Sequence, residues 1–266
     1  MASGEKQTAL DNQDLGTYLS LERVVGRLLS PDGCPWDREQ THQSLKRNLL
    51  EECYELIEAI DVGEPKHMIE ELGDILLQVA FHIHIAHENG NFGPEDVFNS
   101  INGKLIRRHP HVFGGIEVNT SEDVRANWEE IKQKERGNSS RLSSIPRDLP
   151  ALAHAQLLQD RASLAGFDWD HLSGVLEKVK EEIEELESAQ SQQEREREFG
   201  DILLSIVNTA RWINVQAEDS LRQANERFRK RFIDMESLCM DRSLNFAELS
   251  MEDRDALWQE SKKRVG

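Results

Sequence analysis

The sequence carries one set of polar anchors twice, in the same order. Glu51-Glu52-x-x-Glu55 returns as Glu181-Glu182-x-x-Glu185, and Glu71-Leu-Gly-Asp74-Ile-Leu-Leu returns as Glu198-Phe-Gly-Asp201-Ile-Leu-Leu. Asn102-x-Lys104-x-x-x-Arg108 is matched by Asn225-x-Arg227-x-x-x-Arg231, and Trp128-x-x-x-Lys132 by Trp258-x-x-x-Lys262. Four anchors at nearly constant separation are hard to obtain by chance, so the chain reads as a tandem duplication of one unit. Whatever one copy folds into, the other must be able to fold into as well.

The apolar pattern says what that unit is made of. Leu21, Val24, Val25, Leu28 and Leu29 recur at helical spacing, and Pro31-Asp32-Gly33 stops the run. Two amphipathic stretches follow at about 38–62 and 66–89, parted by Gly63-Glu64-Pro65; Pro94 opens another, and Ser121 is the expected N-cap of a further one. No segment alternates as a strand would, so the fold class is all-α. The polar stretch 1–16 reads as a disordered N-terminus and 17–135 as the first domain. The Ser- and Pro-rich stretch 136–150 is the expected linker, and 151–266 the second domain with helices near 150–165, 173–190, 193–216, 219–240 and 251–263.

Composition excludes several roles. Fifty Asp and Glu against 32 Lys and Arg give a net charge of −18, the wrong sign for a phosphate-neutralising surface, so no direct nucleic-acid binding is expected. The same excess argues against an anionic membrane, and no apolar run is long enough to span one. Three widely spaced cysteines without a C-x-x-C, and no secretory signal, point to a reducing, cytoplasmic setting.

The acidic anchors carry the chemistry. At about 100° per residue, Glu51, Glu52 and Glu55 share one arc of a helix, which alone is a solvated acidic face more often than a site. The second element weighs against that reading. Asp74 is followed by ILLQVAFHIHIA, apolar around most of its circumference, so this helix is expected to be central and largely buried, with Glu71, Asp74, Gln78 and His82 as its one polar stripe. The second copy repeats the stripe with Glu198, Asp201, Ser205 and Asn208. If two such carboxylate faces met at about 5 Å, each like-charged pair would repel by about 3 kcal/mol at an effective dielectric near 20. Such groups protonate or collect cations, and oxygen-only ligands suit Mg²⁺, with Mn²⁺ a possible substitute. Lys104 with Arg108, and Arg227 with Arg231, are i,i+4 pairs able to meet one polyanion. Trp128 and Trp258 are either an aromatic face for a base or core residues at a helix end.

With these residues in view, the chain resembles the MazG family of nucleoside triphosphate pyrophosphohydrolases in its two-domain form. The likeness runs from about Leu19 to Lys263 through GCPWDREQT (33–41), KLIRRHPHVFG (104–114), IPRDLPAL (145–152), GFDW (166–169) and ANERFRKRF (224–232). The resemblance implies helical domains that become four-helix bundles on dimerisation, hence a homodimer. It implies Mg²⁺-dependent hydrolysis of an NTP or dNTP between the α- and β-phosphates, giving the monophosphate and pyrophosphate, in nucleotide-pool house-cleaning. Metal ligands map onto Glu52, Glu55, Glu71 and Asp74 and onto Glu182, Glu185, Glu198 and Asp201. Glu51 and Glu181 lead their motifs and, with Glu52 and Glu182, are the catalytic candidates. Substrate contacts map onto Asn225, Arg227, Arg231, Trp258 and Lys262, and by repetition onto Lys104, Arg108, Trp128 and Lys132. Arg227 stands where the family often has Lys, which keeps the charge but changes the donor geometry.

Both copies keep every acidic position. They differ at Phe81, which the duplication sets against Asn208; an amide there can hold water or substrate and a phenyl ring cannot, so the second copy reads as the main catalytic site. The competing readings are a non-catalytic acidic helical dimer that binds a basic partner, and a di-metal bundle. The latter needs a repeated Glu-x-x-His, and neither Glu39-x-x-His42 nor Glu64-x-x-His67 recurs.

Overall fold

The structure is a computed structural model that describes residues 15–137 and 140–266. Most of the stretch expected to be disordered, residues 1–14, and two positions of the expected linker therefore lie outside the described residues. The described chain is all-α, and no strand occurs among the described residues. It forms two compact units, one ending at Lys132 and the other beginning at Gln133.

In the first unit, α1 (Tyr18–Leu29) starts at a reciprocal cap, with the Ser20 N–H donating to Thr17 Oγ1 at 3.2 Å and the Thr17 N–H to Ser20 Oγ at 3.3 Å. After the short α2 (Pro35–Arg38), α3 (Leu45–Val62) and α4 (Pro65–Glu88) form a hairpin. The turn is written in the sequence. Gly63 takes φ +72°, which a side chain would resist, and Pro65 opens α4 where its missing N–H costs nothing. Val25, Leu45, Ala80 and Phe81 form the buried core, so α1 packs on the C-terminal half of α4. Helices α5 (Pro94–Arg108), α6 (Pro110–Phe113) and α7 (Ser121–Arg136) follow. The cap of α7 is one residue earlier than expected: the Asp123 N–H donates to Thr120 Oγ1 at 3.1 Å, and Asp123 Oδ2 accepts from the Thr120 N–H at 3.0 Å. Thr120 wins because Asp123 lies at the spacing that closes the reciprocal cap.

The second unit begins at Gln133, just ahead of the expected linker, part of which is packed: Ile145 is buried, and Arg141 donates to the Leu164 carbonyl. Its helices are α8 (Ala151–Ser163), α9 (Leu172–Ser188), α10 (Gln192–Trp212), α11 (Ala217–Asp241) and α12 (Met251–Val265). The α9–α10 hairpin turns at Ser191, whose hydroxyl caps Glu194 while Glu194 returns the bond. Gln156 of α8 is buried and staples the α10–α11 corner, accepting from the Ala217 N–H at 2.8 Å and donating to the Val215 carbonyl at 2.9 Å. Met235, Leu238, Cys239 and Leu257 bury the contact between α11 and α12.

One expectation fails. Helix α4 is not largely buried: Ile69, Leu72, Leu76 and Val79 form an open stripe along it, and Leu50, Tyr54 and Ile57 of α3 are also exposed. In the second unit Phe199, Leu203 and Ile206 of α10 and Leu176 and Ile183 of α9 are open as well. Each hairpin has two long helices where a closed four-helix bundle has four, and these apolar side chains are open among the described residues.

Candidate metal centre

Two carboxylate clusters stand on the two hairpins. Glu52 and Glu55 of α3 meet Glu71 of α4, and Glu182 and Glu185 of α9 meet Glu198 of α10; in each trio one oxygen per residue lies within 4.8 Å of the others. The i,i+3 spacing puts the first two on one helix face, and the hairpin brings the third across to them. Glu71, Glu182 and Glu198 are buried. Asp74 and Asp201 fall outside these trios, although Asp74 is near enough to act on Glu52.

The electrostatics show the cost of this convergence. Burial, followed by the charges of Asp74, Glu55 and Glu71, pushes the Glu52 carboxyl above the ordinary range. Glu185 is pushed the same way by desolvation and then by Glu182 and Glu198. Partial compensation comes from cations. Lys178 Nζ lies 2.7 Å from both Glu181 and Glu182, and these two bonds hold its ammonium well above its ordinary pKa. Arg197 donates to Glu198 through two nitrogens. In the first unit His67 Nε2 sits 3.2 Å from Glu71. Glu71 Oε2 and Gln78 Oε1, on the same helix, are buried with no hydrogen-bond partner. Buried oxygens left without a donor, grouped with other carboxylates and no sulfur, are what a hard divalent cation requires. Both clusters therefore could hold a metal ion.

A raised folded-state pKa makes charge at Glu52 a liability, and the sign of its pH dependence follows. Its contribution to stability is fully present below the ordinary carboxylate pKa and is lost as pH rises through the raised value. The stability advantage of Glu52→Gln over the parent chain, both freed of metal by chelator, is thus expected to grow as pH rises from about 4.5 into the neutral range. Thermal unfolding midpoints of the two chains over that range check this; an advantage that shrinks with pH contradicts it.

Beside the second cluster lies a cavity of about 530 Å³ whose lining includes Lys178, Glu182 and Asp201 at one end and Phe167, Trp169, Leu204 and Asn208 beyond them. The basic anchors are placed elsewhere. Arg231 lies over the Trp258 ring at 5.7 Å, and Lys262 over the same ring at 5.9 Å. Trp258 itself packs on the α11–α12 core and against Phe228. Arg231 also donates to the Gly266 carbonyl, and Asn225 and Arg227 are exposed on α11. None of these residues lines the cavity. In the first unit Lys132 is buried against Trp128 at 4.2 Å, with Arg108 at 5.6 Å from the same ring, while Lys104 lines a shallow groove on α5. Glu51 is exposed at the head of its motif.

Sequence reasoning passed over Lys178, Arg197 and His67. Lys178 had a readable signal, being one turn ahead of Glu182. His67 belongs to a Glu-x-x-His that does not recur, yet its i,i+4 step to Glu71 is legible in the sequence. His82, the last residue of the polar stripe, faces His42 across 2.8 Å between their Nδ1 atoms; burial, then His42, lowers its pKa.

Helical hairpins carrying glutamate clusters fit for a divalent cation define an all-α acidic-cluster protein. A family model described as the MazG nucleotide pyrophosphohydrolase domain matches residues 40–113, the stretch that holds Glu52, Glu55 and Glu71. The nucleoside triphosphate pyrophosphohydrolase/pyrophosphatase MazG of Thermotoga maritima is 49% identical over 247 residues, 92% of this chain and 95% of that protein. The nucleoside triphosphate pyrophosphohydrolase of Escherichia coli K12 is 40% identical over 250 residues, 91% of this chain and 95% of that one. The uncharacterized protein YabN of Bacillus subtilis 168 is 46% identical over 97% of this chain and 53% of its own length. The chain belongs to the MazG family. Among the described residues no helix is long and apolar enough to cross a membrane.

Proposed function

We propose that the chain is a Mg²⁺-dependent nucleoside triphosphate pyrophosphohydrolase that cleaves NTPs or dNTPs between the α- and β-phosphates, releasing the monophosphate and pyrophosphate. The observation that carries this reading is the convergence of three glutamate oxygens within 4.8 Å on each hairpin, with Glu71, Glu182 and Glu198 buried. The names of the Thermotoga maritima and Escherichia coli relatives support the same activity.

Glu52, Glu55 and Glu71 with Asp74, and Glu182, Glu185 and Glu198 with Asp201, would hold the metal. When bound, Mg²⁺ supplies positive charge against the phosphate oxygens and lowers the pKa of water. Mn²⁺ suits the same oxygen ligands. Glu181, exposed at the head of its motif and next to Glu182, takes the proton of the water that attacks the α-phosphorus, and Glu51 is placed to do so in the first unit. Lys178 and Arg197, which meet the glutamates here, would be available to phosphate oxygens in the metal-loaded chain. Arg227, Arg231 and Lys262, with Trp258 holding the last two, add charge against the leaving pyrophosphate.

A homodimer completes the sites in this reading. The open apolar stripes of α3–α4 and α9–α10 are two-helix halves of four-helix bundles, and the basic residues of α11 and α12 lie outside the single-chain cavity. The tandem units, 17–135 and 151–266, would each be one such half, and clearing unwanted nucleotides from the cytoplasmic pool is the role this chemistry suits.

Incubating the chain with a panel of NTPs and dNTPs, with and without Mg²⁺, tests the proposal. Equal amounts of pyrophosphate and monophosphate are expected only with the metal, and ¹⁸O from labelled water should enter the monophosphate. Orthophosphate as the sole phosphate product, or label in pyrophosphate, overturns it.

A further inference from the structure

The two glutamate trios differ in what neutralises them. In the second unit each buried glutamate carries a full positive charge. Lys178 Nζ lies 2.7 Å from Glu182 as well as from Glu181. Arg197 donates to one oxygen of Glu198 through Nε, at 3.1 Å, and through a terminal guanidinium nitrogen. Among the described residues the first trio pairs with no Lys or Arg; its partner is His67, 3.2 Å from one oxygen of Glu71. The other Glu71 oxygen is buried with no hydrogen-bond partner, on a residue only 6% exposed.

The difference is written in the sequence. Under the register that pairs the acidic motifs, Lys178 falls opposite Asn48 and Arg197 opposite Glu70. The second copy thus has a cation where the first has a neutral residue, and another where the first has an anion. Every other acidic anchor is the same in both.

These cations change what a divalent ion gains on binding. In the first trio, burial and then the charges of Asp74, Glu55 and Glu71 push the Glu52 carboxyl up, whereas at Glu185 the charge of Lys178 works against the rise. Buried, crowded oxygens that are short of donors gain most from a hard cation. Glu182 and Glu198 gain less, because their charge-assisted bonds to Lys178 and Arg197 are already about twice as strong as neutral ones. Even an ion held on the second oxygen of each glutamate enters beside two fixed positive charges, and like charges a few ångströms apart repel.

We propose that the two trios are divalent-cation sites of unequal strength. Glu52, Glu55 and Glu71 form a tight, standing site in the first unit, and Lys178 and Arg197 are resident counter-cations that weaken the site of Glu182, Glu185 and Glu198. The inference deepens the proposed function and rests on it for the second trio as the catalytic one. Activity in the second unit then follows the divalent-ion concentration over a range in which the first unit stays loaded. One half of the duplication serves as a metal-stabilised scaffold and the other as the responsive centre.

Isothermal titration of the chelator-treated full chain with Mn²⁺ tests this. Two saturable classes are expected, about tenfold or more apart in affinity, with the tight class absent from Glu52→Gln and the weak class absent from Glu182→Gln. Arg197→Ala and Lys178→Ala remove side chains that are exposed or partly so. Each should strengthen the weak class about threefold or more and leave the tight class within about twofold. Glu70→Arg, which gives the first unit the cation it lacks, should weaken the tight class. Thermal unfolding is the second readout: the midpoint of Glu182→Gln should rise at Mn²⁺ concentrations too low to move that of Glu52→Gln. A single class of equal sites, a tight class lost in Glu182→Gln, or a weak class unmoved by both Arg197→Ala and Lys178→Ala overturns the hierarchy. Pyrophosphate release from a nucleoside triphosphate, read on the same samples, keeps the two proposals apart. Unequal classes without release would sink the hydrolysis alone, and release with equal classes would sink the hierarchy alone.

Discussion

Glu185→Ala is expected to lower nucleoside triphosphate hydrolysis by about 10²- to 10³-fold, and Glu55→Ala to leave most of the activity in place. A divalent ion supplies several kcal/mol of charge stabilisation to the transition state, and each 1.4 kcal/mol is a factor of ten in rate. Glu185 is one of the three carboxylates within 4.8 Å on the second hairpin, and it is exposed, so its truncation opens no core cavity. The asymmetry between the two substitutions follows from what surrounds each cluster. Lys178 and the cavity beyond it belong to the second, whereas Phe81 in the first lies in the apolar core with Val25 and Leu45. Steady-state rates for the two single variants decide the matter. An unaffected rate in Glu185→Ala would assign the chemistry to the first unit.

The second large effect concerns assembly. Placing Glu at both Leu72 and Leu203 is expected to turn a dimer into a 30.5 kDa monomer and to remove most of the activity with it. These leucines are 47% and 40% exposed, and each lies in an open apolar stripe of its hairpin. Burying an unpaired carboxylate in an interface costs several kcal/mol, enough to weaken association by well over a hundredfold. Sedimentation velocity across a range of protein concentrations reads the result. Parent and double variant at the same mass would remove the assembly from the account.

What the sequence revealed and what it withheld divide along a physical line. The glutamate clusters were legible because their geometry is mostly local: Glu52 and Glu55 share a helix face by spacing alone, and a two-residue turn at Gly63 and Glu64 leaves Glu71 little choice but to come back alongside. The all-α class was legible for the same reason. The bidentate ion pair of Asp168 with Arg211, which ties the segment after α8 to α10, was not, since its partners are 43 residues apart and nothing in either flanking string marks the other. Nor was the exposure of α4. Its apolar circumference predicts burial, whereas Ile69, Leu72, Leu76 and Val79 stand open along it, because exposure depends on which neighbours pack there and not on the helix's own pattern. Trp258 is an intermediate case: the i,i+4 step to Lys262 was visible, whereas its packing on Phe228 and the α11–α12 core depends on a helix thirty residues earlier.

All of this depends on the glutamate trios holding a divalent cation, and Mn²⁺ binding to the chelator-treated full chain, followed by electron paramagnetic resonance, tests that claim most directly. The account predicts saturable binding with at least one ion for each of the two trios, loss of the second unit's share in Glu182→Gln, and loss of both in Glu52→Gln/Glu182→Gln. Weak, non-saturating binding that is the same in the parent chain and the double variant would contradict it.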